Sequence, residues 1–382
     1  MKKVIALSLA VAAIFSLSFA PSAEAATTEP IKIGLTTVLT GDRASEGLWA
    51  SNAARMAIDE INAAGGVLGR PIEIVIEDAQ GTDVGAVNAY RKLADDSDIV
   101  AIIGSDNSND NIAISSSVLE AQIMTTAQGA NPRLRDLCIN ENPWMFQLRA
   151  VQETMIAATL KYAIEELGFQ RFVIINDTET NSAEQALISK DVLESYGIEP
   201  IDMISFTTGT KDFSSHIFRI QRANADCIIG TCLWTEAAIL TQQIRASGIE
   251  TPIIGSNGFS DQLAIDVAGE SMNGVYSFTA FVPSTPNPIG AAFAQRYLEL
   301  FNNDSANPAA QVYDHIHIIS EAINRAGTTD RTAVRDAMLT ITDFKGAITT
   351  YDMSRRGSCA TGGLLVQIQD LKPVVLQEVF TD

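Results

Sequence analysis

"IKIGLTTVL" (residues 31–39) is an apolar run that is followed by a helical pattern, "WASNAARMAIDEINAAGG" (49–66), and by a second apolar run, "PIEIVIEDA" (71–79). Apolar residues recur on one broad face of the helical segment, at Ala53, Met56, Ala57, Ile58 and Ile61. The pair Gly65-Gly66 supplies a left-handed stop for this helix. The three segments therefore predict a strand, helix and strand unit.

The same alternation continues almost to the end of the chain. Apolar runs such as "IVAIIGS" (99–105) and "RFVIIND" (171–177) are separated by amphipathic helical patterns such as "SAEQALISKDVLESYG" (182–197). Strands that read as continuous apolar runs are typical of parallel sheets that are covered on both faces. A second set of units of similar size begins after residue 150. We therefore predict an α/β fold of two doubly wound parallel-sheet lobes, which face each other across a cleft.

The N-terminus predicts export from the cytoplasm. A short basic stretch, Met1-Lys2-Lys3, precedes an uncharged apolar run at 4–20, and small residues stand at Ala23 and Ala25. This pattern is that of a cleavable signal peptide over residues 1–25. No cysteine stands at the cleavage site, so we expect no lipid anchor. No later segment approaches the roughly 20 apolar residues that a spanning helix needs.

Composition limits the partners. The chain has 382 residues and a formal net charge of −20, which argues against nucleic acid and anionic membranes as partners. The length predicts about two domains. Four cysteines in an oxidising compartment permit up to two disulfides, and we expect at least one buried free thiol. Their spacing matches no zinc motif, and we expect no metal and no cofactor.

Sequence signatures of catalysis are lacking. The chain contains no G-x-S-x-G elbow, no Walker loop and no G-x-G-x-x-G motif. His315 and His317 are two residues apart in an apparent helix and should point to different faces, as core or partly buried histidines do. No pair of carboxylates is selected by spacing. An exported enzyme stays open as an alternative, but no residue is nominated for it.

Small polar residues cluster where predicted strands end. In "GSDNSNDN" (104–111), Asn107 or Ser108 can cap the next helix and also offer an amide or hydroxyl group to a ligand. Polar residues also follow the next strand, in "IMTTAQGANPRL" (123–134). The second lobe offers 175–184, 230–236 and 255–261, where Trp234 is either a packed aromatic or a wall of the cleft. Ligands on parallel sheets bind beyond the carboxyl ends of the strands, so binding is favoured.

With these segments in place, the chain resembles the periplasmic leucine/isoleucine/valine-binding proteins, the type I solute receptors of ABC importers. The likeness covers nearly the whole mature chain. It is carried by segments that follow in the family's order and at its spacing: "IKIGLTTVLTGDRASEG", "ARMAIDEINAAGGVLGRPIEIVIEDAQ", "IVAIIGS", "GANPRL", "FQLR", "TTGTKDFSSHIFRIQRANAD" and "IRASGIETPIIGSNG". The resemblance implies two α/β lobes that are joined by three crossovers and close on one small ligand.

The resemblance also assigns pocket positions. Ser108 stands where family members use a serine for the ligand carboxylate. Ala130 replaces a threonine, and Gln128 lies two residues before it. Asn181 corresponds to a tyrosine that closes over the ligand. Two further positions differ, since Asn257 replaces the acid that neutralises an α-ammonium and Glu46 replaces an aromatic residue.

These differences suggest a changed ligand. A buried ammonium without an anionic partner is costly, and Asn257 supplies no charge. Either Glu46 serves as the counter-ion from the other lobe, or the ligand has no α-ammonium at that place. The second alternative favours a carboxylate, an amide or another polar organic compound.

The sequence thus predicts a periplasmic, non-enzymatic solute receptor that delivers a small organic solute, an amino acid or a related carboxylate or amide, to a membrane permease. The alternative is a sensory module of the same fold. Lobe I is expected to comprise 26–149 and 278–350, and lobe II 150–277 and 351–382.

Overall fold

A computed structural model describes residues 29–41, 43–303 and 307–380. The predicted signal peptide lies outside these residues. Within them, the first sheet has five parallel strands, in the order β2-β1-β3-β4-β5. Its strands are β1 (Ile31–Thr37), β2 (Ile72–Asp78), β3 (Ile99–Ile103), β4 (Met124–Ala127) and β5 (Met145–Gln147).

The second sheet combines parallel strands with an antiparallel hairpin. The parallel strands are β6 (Phe172–Asp177), β7 (Asp202–Phe206), β8 (Cys227–Thr231), β9 (Ile253–Gly255) and β10 (Tyr276–Thr279). A separate short pair follows, β11 (Phe344–Lys345) and β12 (Thr350–Tyr351). The hairpin of β13 (Gly362–Gln369) and β14 (Lys372–Phe380) then extends the second sheet to the order β14-β13-β10-β9-β8-β6-β7. The predicted fold class is confirmed, and the terminal hairpin is an addition to it.

Helices cover both faces of each sheet. They are α1 (Ala44–Ala63), α2 (Asp83–Ala94), α3 (Ser108–Ala113), α4 (Ser115–Ala121), α5 (Pro132–Asp136), α6 (Gln152–Glu165), α7 (Thr180–Ser195), α8 (Ser214–Ala223), α9 (Trp234–Ala246), α10 (Gln262–Ala268), α11 (Pro288–Phe301), α12 (Asn307–Ala326) and α13 (Arg331–Met338). Helices α1, α11, α12 and α13 share one hydrophobic core with β1. Separate cores lie on the other face of the first sheet and on each face of the second.

The first helix shows how local sequence positions the fold. Its buried face contains Ala53, Met56 and Ala57, as the periodicity predicts. Gly65 and Gly66 have φ of 107° and 76°, and the Gly66 N–H donates to the Ile61 carbonyl at 2.9 Å. This hydrogen bond gives the Ile61 carbonyl, in the last turn of the helix, a partner that it would otherwise lack. The chain then turns directly into β2.

The chain passes between the two sheets three times, at 148–151, 280–287 and 352–361. The first and third passages are bonded to each other. The Cys359 N–H donates to the Gln147 carbonyl at 2.9 Å, and the Ala360 N–H donates to the Leu148 carbonyl at 3.0 Å. The exact lobe boundaries stay a prediction.

All four cysteines are buried free thiols, which confirms the expectation of at least one. Burial raises the pKa of Cys138 to about 12, and it raises the pKa of Cys227, Cys232 and Cys359 well above the ordinary value. Thiols held in this way stay protonated and react slowly.

Gly47 provides a test of how α1 packs on the loop after β1. A Cβ at Gly47 would lie 1.8 Å from the Val38 carbonyl oxygen, so Gly47→Ala must shift backbone. At Gly34 a Cβ would instead meet the side chains of Leu93 and Ile102 at 3.0 and 3.1 Å. We expect Gly47→Ala to lower the free energy of unfolding by about 1–3 kcal/mol and Gly34→Ala to lower it less, as measured by urea titration. A Gly47→Ala protein as stable as wild type would contradict this packing.

Candidate functional site

A cleft of about 360 Å³ lies between the two sheets, at the carboxyl ends of their strands. The first sheet contributes the loops that follow β1, β3, β4 and β5. The second contributes the turns after β6, β8, β9 and β10, together with α6 and α7. The apolar lining of the cleft includes Trp49, Trp234, Phe278 and Phe281. Both walls therefore combine aromatic surface with polar strand ends.

The "GSDNSNDN" loop is held together by its own side chains. Asn107 caps α3 by accepting the Asn109 N–H at 2.7 Å. The Ser105 hydroxyl donates to Asp110 at 2.7 Å, and the Asn111 amide donates to the Ser105 and Asn107 carbonyls. The dense polar cluster thus satisfies the end of β3 internally. Asn107, rather than Ser108, is the cap.

Ser108 is thereby placed against the loop that follows β4. Its hydroxyl oxygen accepts the Asn131 N–H at 3.2 Å. A Cβ at Gly129 would lie 2.3 Å from the same oxygen, so only glycine allows this approach. The side chain of Asn131 continues across the cleft and donates to the Glu184 carboxylate on α7. The two walls are in direct contact here.

A charged cluster occupies the first-sheet wall. One nitrogen of Arg43, Nη2, lies 2.5 Å from Glu46 and 2.7 Å from Asp106. These two acids share one guanidinium, and the site is largely closed to water. Burial and the Asp106 carboxylate raise the pKa of Glu46 to about 8, against the opposing effect of Arg43.

Several carboxamides at the cleft lack hydrogen-bond partners within the described residues. Gln185 donates to the Gln152 oxygen at 3.2 Å, which leaves Gln152 Nε2 and Gln185 Oε1 without partners. Asn181 Oδ1 and both polar atoms of the Gln311 amide are in the same state. Buried polar atoms normally have partners. Unmatched donors and acceptors at a cleft are the groups that a polar ligand would satisfy.

Arg149 also lines the cleft, at the start of the first passage between the sheets. Burial lowers the pKa of Arg149, and the Asp106 charge acts in the opposite direction. No hydrogen bond or ion pair joins its guanidinium to another described residue. The family-like segment "FQLR" ends at this side chain.

The structure brings most of the predicted residues together. The cleft is lined by Glu46, Asn107, Ser108, Ala130, Asn181, Trp234 and Asn257. Gln128 is the exception, because it is buried and its amide donates to the Gly104 carbonyl at 2.6 Å. This bond ties the end of β4 to the end of β3 and turns the side chain away from the cleft. Trp234 is both packed and at the cleft wall.

The sequence reasoning missed Arg43, Arg149, Gln152 and Gln311. Arg43 lies three residues before Glu46, so helical spacing was a signal for the ion pair. Arg149 ends the segment "FQLR", which carries part of the family resemblance but no local signal of a ligand contact. Gln311 lies on α12, far along the chain, and no local pattern marks it as a cleft residue.

The two histidines of α12, His315 and His317, do not line the cleft. His315 is buried, and its Nδ1 lies 2.8 Å from the Thr126 hydroxyl. Burial lowers the pKa of His315 to about 3 and that of His317 to about 4. Across residues 29–41, 43–303 and 307–380, no three His, Cys, Asp or Glu side chains are grouped as metal ligands. Over the same residues, no helix has the length and apolarity to span a bilayer.

Glu46 predicts a pH dependence of stability. Its folded pKa of about 8 exceeds the usual 4.5, so the folded state keeps a proton that the unfolded chain releases. The resulting stability is complete below about pH 4.5, declines as the pH rises toward 8 and is lost above it. Asp177 and Asp314, whose pKa burial raises to about 6, contribute mostly below pH 6.5. From pH 6.5 to 8 we expect wild type to lose about 1–2 kcal/mol and Glu46→Gln to stay level, as measured by urea unfolding.

Glu141→Gln is the control for this measurement. Arg133 holds the pKa of the Glu141 carboxyl below its usual range, so this group does not titrate between pH 6.5 and 8. Its variant should keep the wild-type slope. Equal slopes for wild type and Glu46→Gln would show that Glu46 is already ionised at pH 6.5.

Comparison with known proteins agrees with this architecture. The chain is 29% identical over 331 residues to the Leu/Ile/Val-binding protein BraC3 of Rhizobium johnstonii, covering 85% of this chain and 86% of that one. The crystal structure of the branched-chain amino acid transporter substrate-binding protein LivJ of Streptococcus pneumoniae, in complex with isoleucine, superposes with a TM-score of 0.82 at 23% identity, covering 92% and 99% of the two chains.

A solute-binding protein of an ABC transporter from R. palustris, in complex with benzoate, superposes with a TM-score of 0.80 at 18% identity, covering 92% and 97% of the two chains. These two structures show the shared fold. The family model described as periplasmic binding protein matches residues 30–370. This family consists of substrate-binding proteins and not enzymes, as the sequence predicts. The chain belongs to the periplasmic binding protein family.

Proposed function

We propose that this chain is the extracytoplasmic solute-binding component of an ABC importer, which closes on a small organic solute and delivers it to a membrane permease. The observation that carries the proposal is the cleft between the sheets, whose walls hold unpartnered polar atoms beside aromatic surface. A cleft of about 360 Å³ suits one small organic molecule. Relatives named for Leu, Ile and Val, and solved neighbours that hold isoleucine or benzoate, support this class.

Each wall of the cleft has its own residues in the proposed binding. On the first-sheet side, Ser108 and Asn107 hold one end of the solute, with Ala130 beside them. On the second-sheet side, Asn181, Trp234 and Asn257 complete the pocket when the lobes close. A solute selects the closed state only through contacts with both walls. The contact from Asn131 to Glu184 supports a closed form in which the walls touch.

The same proposal includes export from the cytoplasm, which the N-terminal sequence predicts. A cleavable signal peptide over residues 1–25 would place the mature chain in the periplasm, where it meets the permease. The formal net charge of −20 supports a freely diffusing receptor rather than one held on an anionic membrane.

A binding screen tests this function. Mature protein is unfolded and refolded to remove any bound solute, and it is then melted with branched-chain amino acids, aliphatic and aromatic carboxylates and their amides. A ligand at 100 times its dissociation constant adds about 2.7 kcal/mol of stability. We expect at least one compound to raise the melting temperature and to reduce the radius of gyration in X-ray scattering. Binding without that reduction would contradict closure, and no binding at all would contradict the function.

Ser108 provides a second test. Its hydroxyl lies at the cleft and accepts the Asn131 N–H, so Ser108→Ala removes one hydrogen-bonding group from the site. We expect the affinity for the compound found in the screen to fall about 3- to 10-fold, measured by calorimetry. Ser247→Ala is the control, because Ser247 is exposed and donates only to the Gln243 carbonyl of its own helix end. Unchanged affinity in Ser108→Ala would remove Ser108 from the binding site.

A further inference from the structure

The charged side chains of the cleft differ in whether they have a partner. Five acids line it: Asp106 accepts from Arg43 at 2.7 Å, Glu46 lies at ion-pair distance from the same guanidinium, Glu179 accepts the Ser182 N–H at 3.0 Å, Asp261 accepts the Leu263 N–H at 2.9 Å, and Asp266 accepts the Gln262 amide at 2.8 Å. Arg43 is paired with two of these acids. Within the described residues, Arg149 is the cleft-lining charge that has no hydrogen bond and no ion pair.

The energetics of Arg149 favour an anionic partner. Arg149 is half-buried at the cleft, so its guanidinium has lost part of its contact with water without gaining a partner, and an incoming anion would offset that loss. A guanidinium presents two parallel N–H donors that match a carboxylate. Asp106 does not fill this role, because its carboxylate is bound at 2.7 Å by Arg43.

Two of the neighbouring carboxamides offer donors to the same group. Gln152, three residues after Arg149 at the start of α6, has an unpartnered Nε2 donor, and Gln311 on α12 has an unpartnered amide. An ammonium has the opposite requirement, since it needs an acid that is free to pair. Within the described residues, each acid of the cleft is already engaged by Arg43 or by a donor at one of its oxygens, and Asn257 supplies no charge.

We propose that Arg149 binds the carboxylate of the solute, and that the cleft selects small organic carboxylates that carry no ammonium group. This inference rests on the proposed function and names its ligand class. It makes Arg149 a specificity-determining residue that contacts the ligand from the passage between the lobes. The aromatic lining from Trp49, Trp234, Phe278 and Phe281 then holds the apolar part of the solute.

The test uses compounds that differ by one group. Leucine is compared with 4-methylpentanoate, which lacks the α-ammonium, and with leucinamide, which lacks the carboxylate. Benzoate and benzamide form an aromatic pair. Affinities are measured by calorimetry on refolded wild type, Arg149→Gln, Arg149→Lys and Arg219→Gln. Arg219 on α8 is the control, because it is paired with Asp202 on β7 and does not line the cleft.

In wild type we expect a carboxylate to bind more tightly than its amide, and 4-methylpentanoate to bind at least as tightly as leucine. Arg149→Gln should weaken carboxylate binding about 30-fold or more and abolish the preference over the amide. Arg149→Lys should retain part of the preference, since its charge stays but its paired donors are lost. Arg219→Gln should match wild type.

Stability without ligand separates binding from a structural role. Because the guanidinium has no partner to lose among the described residues, Arg149→Gln should melt at the wild-type temperature or above it. A lower melting temperature together with unchanged carboxylate affinity would assign Arg149 to the fold and overturn the inference. Tighter binding of leucine than of 4-methylpentanoate by more than about 10-fold would overturn the ligand class while the receptor function stands. If wild type binds no compound of the full screen, both proposals fail.

Discussion

In a parallel sheet, every strand ends at the same edge, and the backbone groups just beyond that edge need polar partners. The two sheets of this chain present these edges to each other, so the constraint concentrates polar side chains on both walls of one cleft. The loop at 104–111 shows the consequence most clearly. Its Ser, Asp and Asn side chains first satisfy the backbone after β3, and only the remaining atoms face the cleft.

The sequence predicted the sheet units well because their signals are local. The apolar run at 31–39, the face at Ala53, Met56 and Ala57, and the stop at Gly65-Gly66 all depend on neighbours within a few residues. The terminal hairpin of β13 and β14 was not anticipated, since its pairing with β10 joins segments that are more than 80 residues apart.

The cleft was predictable only in part, for a related reason. Strand-end residues such as Ser108 and Asn257 follow apolar runs and are recognised from them. Gln128 follows such a run as well, but its amide turns to the Gly104 carbonyl, and side-chain rotation of this kind has no sequence signal. Gln311 reaches the cleft from α12, and Arg149 reaches it from a connecting segment. Their importance comes from partners that they lack, which only a three-dimensional structure reveals.

The passages between the sheets have a mechanical consequence. Because the backbone at 147–148 is bonded to the backbone at 359–360, the first and third passages form one narrow ribbon. The second passage, at 280–287, packs against them through Phe281 but has no backbone hydrogen bond to either in the described part of the chain. The ribbon and the second passage are two connections between the lobes, and together they define a line. Rotation of one lobe about that line stretches neither connection. Twisting one lobe against the other, by contrast, would require the bonded ribbon to shear. If the lobes close as we propose, the axis of that closure would be set by main-chain hydrogen bonds rather than by the side chains that recognise a solute.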